Sequence, residues 1–266
     1  MRESRFLPAV SMLVFLAGCA GLQSDHVRFD GSGCPELTAA ALAAEQSRLG
    51  PLSGTETLAC ALTVLRDTQD PALLSTALGS RLCLLLAERE ADQEKREKLA
   101  AEGVKFAETA LAHGDDGDGA VHYYLATDLG LAIREHITLA MANLDRLEGE
   151  MKRALALSPD IDEGGPPRIL GTLYLKAPAW PKGIGDLDKA LELLVKAVKE
   201  HPGHPLNHLF YAQALWEEGD AAAVTQAKAE FELGESLLAE GNWGYSKALW
   251  EKEFDEFRQQ LGEAGH

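Results

Sequence analysis

The chain has 266 residues, 46% of them hydrophobic and only 6% aromatic, enough apolar material for one large domain or an extended repeat array. Its 42 acidic and 25 basic residues leave a formal net charge of −17, a field that repels phosphate backbones and argues against nucleic-acid binding. The acidic excess reads as a solvated face that keeps a folded domain soluble, ahead of a surface built for a basic partner.

The N-terminus runs Met1 to Arg5 with two arginines, then a short apolar stretch from Phe6 to Leu16, then Ala17, Gly18 and Cys19. A basic start, a short apolar core and small residues before a cut site make a secretory signal over 1–18, too short to span a bilayer. Leu16-Ala17-Gly18-Cys19 resembles the lipobox of bacterial lipoproteins. That resemblance implies diacylglycerol attachment to Cys19, cleavage before it and N-acylation, so that the chain meets the membrane through a lipid anchor. Ala20 stands where the related sorting pattern would place Asp for inner-membrane retention. The expected location is therefore periplasm-facing, on the outer membrane. Residues 19–33 read as the acylated Cys and a flexible tether, and 34–266 as the folded domain.

Of four cysteines, Cys34, Cys60 and Cys83 remain after Cys19, so they cannot all pair. Cys83 lies in an apolar helical run and reads as a buried small hydrophobe. A Cys34–Cys60 bridge is the expected pairing in an oxidising compartment.

Beyond the tether, apolar residues recur three and four apart and are interrupted by Gly, Pro and Asp clusters. This pattern predicts an all-α chain with helices near 36–49, 54–67, 71–90, 94–113, 119–136, 142–157, 165–175, 186–200, 204–218, 221–239 and 245–262. Several of them repeat. Ala190, Leu194 and Ala197 stand at spacings 0, +4 and +7, with Pro202 closing the unit. Leu147, Met151, Ala154 and Pro159 do the same; Ala100, Val104 and Ala107, and Ala227, Phe231 and Gly234, follow without the Pro. Each set puts three residues on one helical face, and the small third residue lets a neighbour approach closely. Leu170-Gly171 followed by Tyr174 matches the L-G-x-x-Y element of tetratricopeptide repeats, with looser copies at Leu125-Ala126 and Leu78-Gly79. The equivalent Ala107, Ala154 and Ala197 lie roughly 45 residues apart, against about 34 in the standard repeat. We therefore expect antiparallel helix pairs stacked as an expanded array, with Ala177 to Gly183 the clearest expansion and the last helix a solubilising cap.

One stretch carries a more specific resemblance. Arg168, Leu170, Gly171, Leu173 and Tyr174 precede Pro178, Trp180 and Pro181, then Gly185-Asp186, then Asn207, Phe210, Tyr211 and Ala212. Together with the Tyr-rich segment His122-Tyr123-Tyr124, these residues resemble the T-component family of TRAP transporters over roughly 119–218. The resemblance implies a periplasmic lipoprotein domain that forms a homotrimer. It also implies a partner, the solute-binding protein of a transporter for a small organic or hydrophobic ligand.

The residues themselves leave alternatives open. Arg168, at a helix start, needs an anion: either a ligand carboxylate or an internal Asp or Glu. Tyr123, Tyr124, Tyr174 and Tyr211 can line an apolar groove while their hydroxyls find partners, although at Tyr174 and Tyr211 packing between repeats fits better. Trp180, held between prolines in a loop, either plugs a gap between helices or stands at the mouth of a cleft. Asn207 suits a cap or a backbone bond near a helix start.

His201, His204 and His208 cluster, but two prolines interrupt them and no carboxylate completes a local ligand set, so no metal is expected. The loop from Gly114 to Gly119 lacks the spaced ligands of a calcium loop and reads as a turn and helix cap. Glu88 and Glu90 read as exposed helix face. No nucleophile motif, phosphate cradle or cofactor signature is present. A binding lipoprotein rather than an enzyme is the expectation, and a tetratricopeptide-like scaffold for envelope protein assembly is the alternative.

Overall fold

The computed structural model of the chain describes residues 26–29, 34, 37–114 and 116–263. The leader, Cys19 and most of the tether lie outside the described residues. Among the described residues there are thirteen α-helices and no β-strand. None of these helices is long and apolar enough to cross a membrane.

The helices are α1 (Ala39–Glu45), α2 (Thr55–Asp67), α3 (Pro71–Leu74), α4 (Leu78–Ala87), α5 (Gln93–Ala112), α6 (Gly119–Ile133) and α7 (Ile137–Ala142). They continue with α8 (Leu144–Leu157), α9 (Gly165–Lys176), α10 (Leu187–Glu200), α11 (Pro205–Glu218), α12 (Ala221–Glu240) and α13 (Lys247–Glu263). Aspartates set many of the starts. The side chains of Asp70, Asp92, Asp118, Asp186 and Asp220 each accept a bond from a backbone N–H in the first turn of the helix that follows. Asp118 closes the Gly114–Gly119 segment in this way, at 2.8 Å from Ala120 N.

The helix expected over 71–90 is broken into α3 and α4. Thr76 Oγ1 donates to Leu73 O at 2.9 Å and accepts from Leu78 N at 3.3 Å, so a side chain takes bonds that a continuous helix would give to its own backbone. Two other boundaries differ. The helix begun at Gly119 ends at Ile133, and the connection after it holds the separate α7. The first and last helices carry 3₁₀ turns, Gln46–Arg48 and Gly244–Ser246.

The pairs α4/α5, α6/α8, α9/α10 and α11/α12 pack along their lengths, and each stacks on the next. The spacing read from the sequence faces the interior: Ala190, Leu194 and Ala197 are wholly buried, as are Met151, Ala154, Ala100, Val104, Ala107 and Ala227. Gly171 shows why the first helix of a pair needs a small residue. A Cβ there would lie 2.7 Å from Leu194 Cγ on the partner helix.

One continuous core runs from α1 to α12. A second cluster, built on Phe231, Phe254 and Phe257, seals α13 onto α11 and α12. At the other end Cys34 and Cys60 form a disulfide, with Cα atoms 5.5 Å apart, and Cys83 is free and fully buried. The stretch His26–Phe29, expected within the tether, lies on the domain. Arg66 donates to Val27 O at 3.0 Å, its guanidinium sits 5.7 Å from the Phe29 ring centroid, and His26 lies 3.1 Å from the buried Glu102.

Candidate functional site

The three later pairs share a device that no sequence motif displayed. His122, Arg168 and His208 each stand fourth in the first helix of a pair. Each bonds the backbone carbonyl six residues upstream: Asp116 O at 3.2 Å, Asp162 O at 3.0 Å and Pro202 O at 2.8 Å. The two histidines also meet a glutamate of the second helix. His122 Nδ1 lies 2.6 Å from Glu150 and His208 Nδ1 lies 2.7 Å from Glu230. Glu150 and Glu230 immediately precede Met151 and Phe231, the central residues of the buried spacing. The same position in the middle pair is Leu193, before Leu194.

Arg168 therefore has no glutamate opposite it. It is 4% exposed, and the internal Asp or Glu of the sequence reading is not there: among the described residues no carboxylate lies within ion-pairing distance. Its guanidinium donates instead to Glu163 O at 3.2 Å, Asp162 O at 3.0 Å and Asn207 Oδ1 at 2.8 Å, leaving Nε without a partner. Backbone carbonyls and an amide substitute for a counter-ion because the guanidinium fork reaches several acceptors at once. Asn207, wholly buried, does not cap its own helix. Its amide donates to Glu163 O, Ala197 O and His201 O at 3.1, 3.3 and 2.9 Å, tying the end of α10 to the loop before α9.

That loop is strained. Asp162 and Glu163 have φ of 47° and 51°, and Gly164 follows at 83°, three successive residues in the left-handed region. The Arg168–Asn207 bonds hold the turn. It presents Asp162, an exposed residue, to the hydroxyl of Tyr124 at 3.3 Å. Tyr123 stacks edge-on against Tyr124 at 5.0 Å, and its hydroxyl fills the space where a side chain at Gly165 would stand. Both tyrosines are core residues that offer only their hydroxyl ends to the site. Tyr174 and Tyr211 are likewise buried but lie elsewhere, bonded to Glu148 and Gln226. Trp180 joins none of these groups: it is 86% exposed and plugs nothing.

Four more groups complete the site: His204 and Glu88, which the sequence reading gave no binding role, and Trp243 and Trp250, which it did not single out. His204 stacks on Trp243 and Trp250 at 5.5 and 5.0 Å, and its Nδ1 lies 3.5 Å from Arg168 Nη1. Burial, then the Arg168 charge, holds its pKa down at about 2, so the ring is neutral. Glu88, at the end of α4, is half-buried rather than exposed. Burial of its carboxyl and the nearby Asp162 raise its pKa to about 7, against the opposing pull of Arg89 and Arg168. Trp243, just before α13, and Trp250, within it, are half-buried against His204 and each other.

The site lies where the two ends of the array meet. Arg89 donates to Ser53 O and Pro51 O, and its guanidinium covers the Tyr245 ring at 4.1 Å. The histidines do not converge. His201 pairs with Asp160 at 3.0 Å and His208 with Glu230, and no group of metal-binding side chains forms among the described residues. The assembled groups are aromatic faces, a carboxyl with a raised pKa and fixed hydrogen-bond partners. No family model matches the chain, and no curated protein matches it.

Proposed function

We propose that this protein is a membrane-anchored periplasmic binding lipoprotein, an accessory to a TRAP-type transporter that takes a small organic ligand and meets a solute-binding protein. The observation that carries the proposal is the convergence of distant parts of the resembling segment. Tyr124, Arg168 and Asn207, on three different helices, join one knot around the strained turn at Asp162. Non-adjacent residues brought together, with half-buried Trp243, Trp250 and Glu88 nearby, fit recognition of a ligand with an apolar body and a polar end. The lipid anchor on Cys19 and the homotrimer belong to the same proposal and rest on the resemblances alone.

The test is native mass spectrometry of the full chain purified gently from its source envelope. A bound small molecule, or a co-purifying solute-binding protein, supports the transporter reading, and Trp250→Ala is expected to reduce ligand occupancy. A ligand-free chain bound to envelope-assembly proteins would replace this reading with the scaffold one.

A further inference from the structure

Two surface features that use none of the side chains of that site carry complementary charge. The first is the loop between α9 and α10. Its backbone closes on itself: Gly185 N bonds Pro178 O at 2.9 Å, Asp186 N bonds Tyr174 O at 3.0 Å, and Lys182 N bonds Ala179 O at 3.1 Å. A side chain at Gly183 or Gly185 would run into the carbonyls of Pro178 and Ala177, so the close turn requires both glycines. This rigid loop holds Trp180 in solvent at 86% exposure. An exposed indole on a loop closed by backbone bonds is a pre-positioned anchor, because little backbone freedom remains to be lost on docking. Its flank is basic. Lys176 and Lys182 are exposed on either side, no acidic residue lies between Lys176 and Gly185 in the sequence, and Lys182 has no ion pair among the described residues, while Lys176 also acts on Glu253 of α13. In a chain of net charge −17 this is an unusual place.

The second feature is an open groove of about 200 Å³ between α1 and α2. Leu42, Leu49 and Ala61 form its floor, and Glu45, Glu56 and Thr57 stand at its rim. Glu56 has no ion pair among the described residues, and Glu45 has only a 3.9 Å contact to the exposed Arg48. The Cys34–Cys60 disulfide adjoins the floor and fixes the wall that α2 contributes.

We propose that Trp180 of one copy of this chain seats in the α1–α2 groove of a second copy, with Lys182 and Lys176 against Glu56 and Glu45. Hook and socket lie on different parts of the molecule, so the contact is head-to-tail and leaves one hook and one socket open on every pair. The interface is small, and its affinity is correspondingly weak in free solution. Attachment of copies to one membrane would raise their effective concentration and favour it. The contact does not depend on the transporter reading, since it uses none of the groups of the proposed ligand site.

The test is sedimentation and native mass spectrometry of the full chain and three variants at exposed positions. The wild-type chain associates with rising concentration, less so at high salt. Trp180→Ala weakens association about thirtyfold, the scale of losing an interface anchor. Thr57→Trp, which fills the socket from its rim, does the same. At concentrations where the wild-type chain associates neither variant does so alone, but mixed they form one-to-one dimers and nothing larger, because only one intact hook and one intact socket remain between the two variants. Lys182→Glu weakens association, and adding Glu56→Lys to the same chain restores it. A wild-type chain that stays monomeric throughout the micromolar range overturns the proposal. So does association that survives Trp180→Ala, or a mixture that behaves like its separate components. A groove already filled by the chain's own N-terminal segment would show as association indifferent to Thr57→Trp, which also overturns it.

Discussion

Glu88 shows how one side chain acquires a property that its sequence surroundings hide. It follows the apolar run of α4 and precedes Arg89 and Glu90, a setting that reads as solvent-facing. The fold then brings Asp162 and the closing ends of the array over it, and its carboxyl rises from 4.5 to about 7, through burial first and the Asp162 charge second. In the unfolded chain the carboxyl returns to its ordinary value. Between these two values the folded state holds more protons than the unfolded one, so stability falls as pH rises through about 7. Glu88→Gln removes that cost. At about pH 8 the variant is expected to be more stable by ~2 kcal/mol, and at about pH 5 nearly unchanged. Urea unfolding at the two pH values measures this. Equal midpoints for variant and parent at the higher pH would mean that water reaches the carboxyl. Arg168 presents the converse case. Its need for partners was legible from its place at a helix start, but their identity was not, because they are backbone carbonyls of a turn whose left-handed residues, Asp162 and Glu163, are not glycines.

At the scale of helix pairs, the repeat was legible wherever it depends on packing and illegible where it depends on polar partners. The buried spacing of Ala190, Leu194 and Ala197 and its copies follows from helical periodicity, so it shows in one strand of sequence. The fourth-residue device does not, since its side chains differ in type and the acceptors they share are backbone atoms. Only the structure shows that His122, Arg168 and His208 are equivalent. The helix boundaries were missed for a similar reason: Thr76 breaks the 71–90 stretch through side-chain bonds that apolar periodicity ignores. The His208–Glu230 pair gives the device a measurable energy. Burial lowers the His208 pKa, but the bonds to Glu230 and to Pro202 O outweigh it and leave the value above 6.5. A histidine raised in the folded state contributes stability that is fully present below its unfolded value and lost as pH rises through the folded one. Glu230→Gln is therefore expected to cost ~1 kcal/mol at about pH 6 and less at about pH 9. Denaturant midpoints at the two values provide the comparison. A loss independent of pH would assign the pair a packing role only.

For the whole molecule, the open question is whether the array behaves as a linear stack. In a linear stack each pair senses only its neighbours, and damage at one end stays there. Here the ends touch. Arg89, just beyond α4, covers Tyr245 beside α13 and holds the 50–54 loop through Pro51 O and Ser53 O. Phe254 supplies a local perturbation at the C-terminal end. It is 1% exposed and packs on Phe231 at 5.6 Å and against Gly234, so Phe254→Ala should cost about 3 kcal/mol and loosen α13. If the ends are energetically joined, hydrogen exchange in Phe254→Ala quickens at α11 to α13 and also across 50–54 and 88–90, while α8 to α10 between them stay protected. Arg89→Ala, which cuts the junction, should speed exchange at 50–54 by itself, and Phe254→Ala added to it should then change that segment no further. Exchange that quickens only at α11 to α13 would make the contact between the ends a mere juxtaposition. Coupling of the distant loop, skipping the middle of the chain, has no route along a linear stack and requires the closed one.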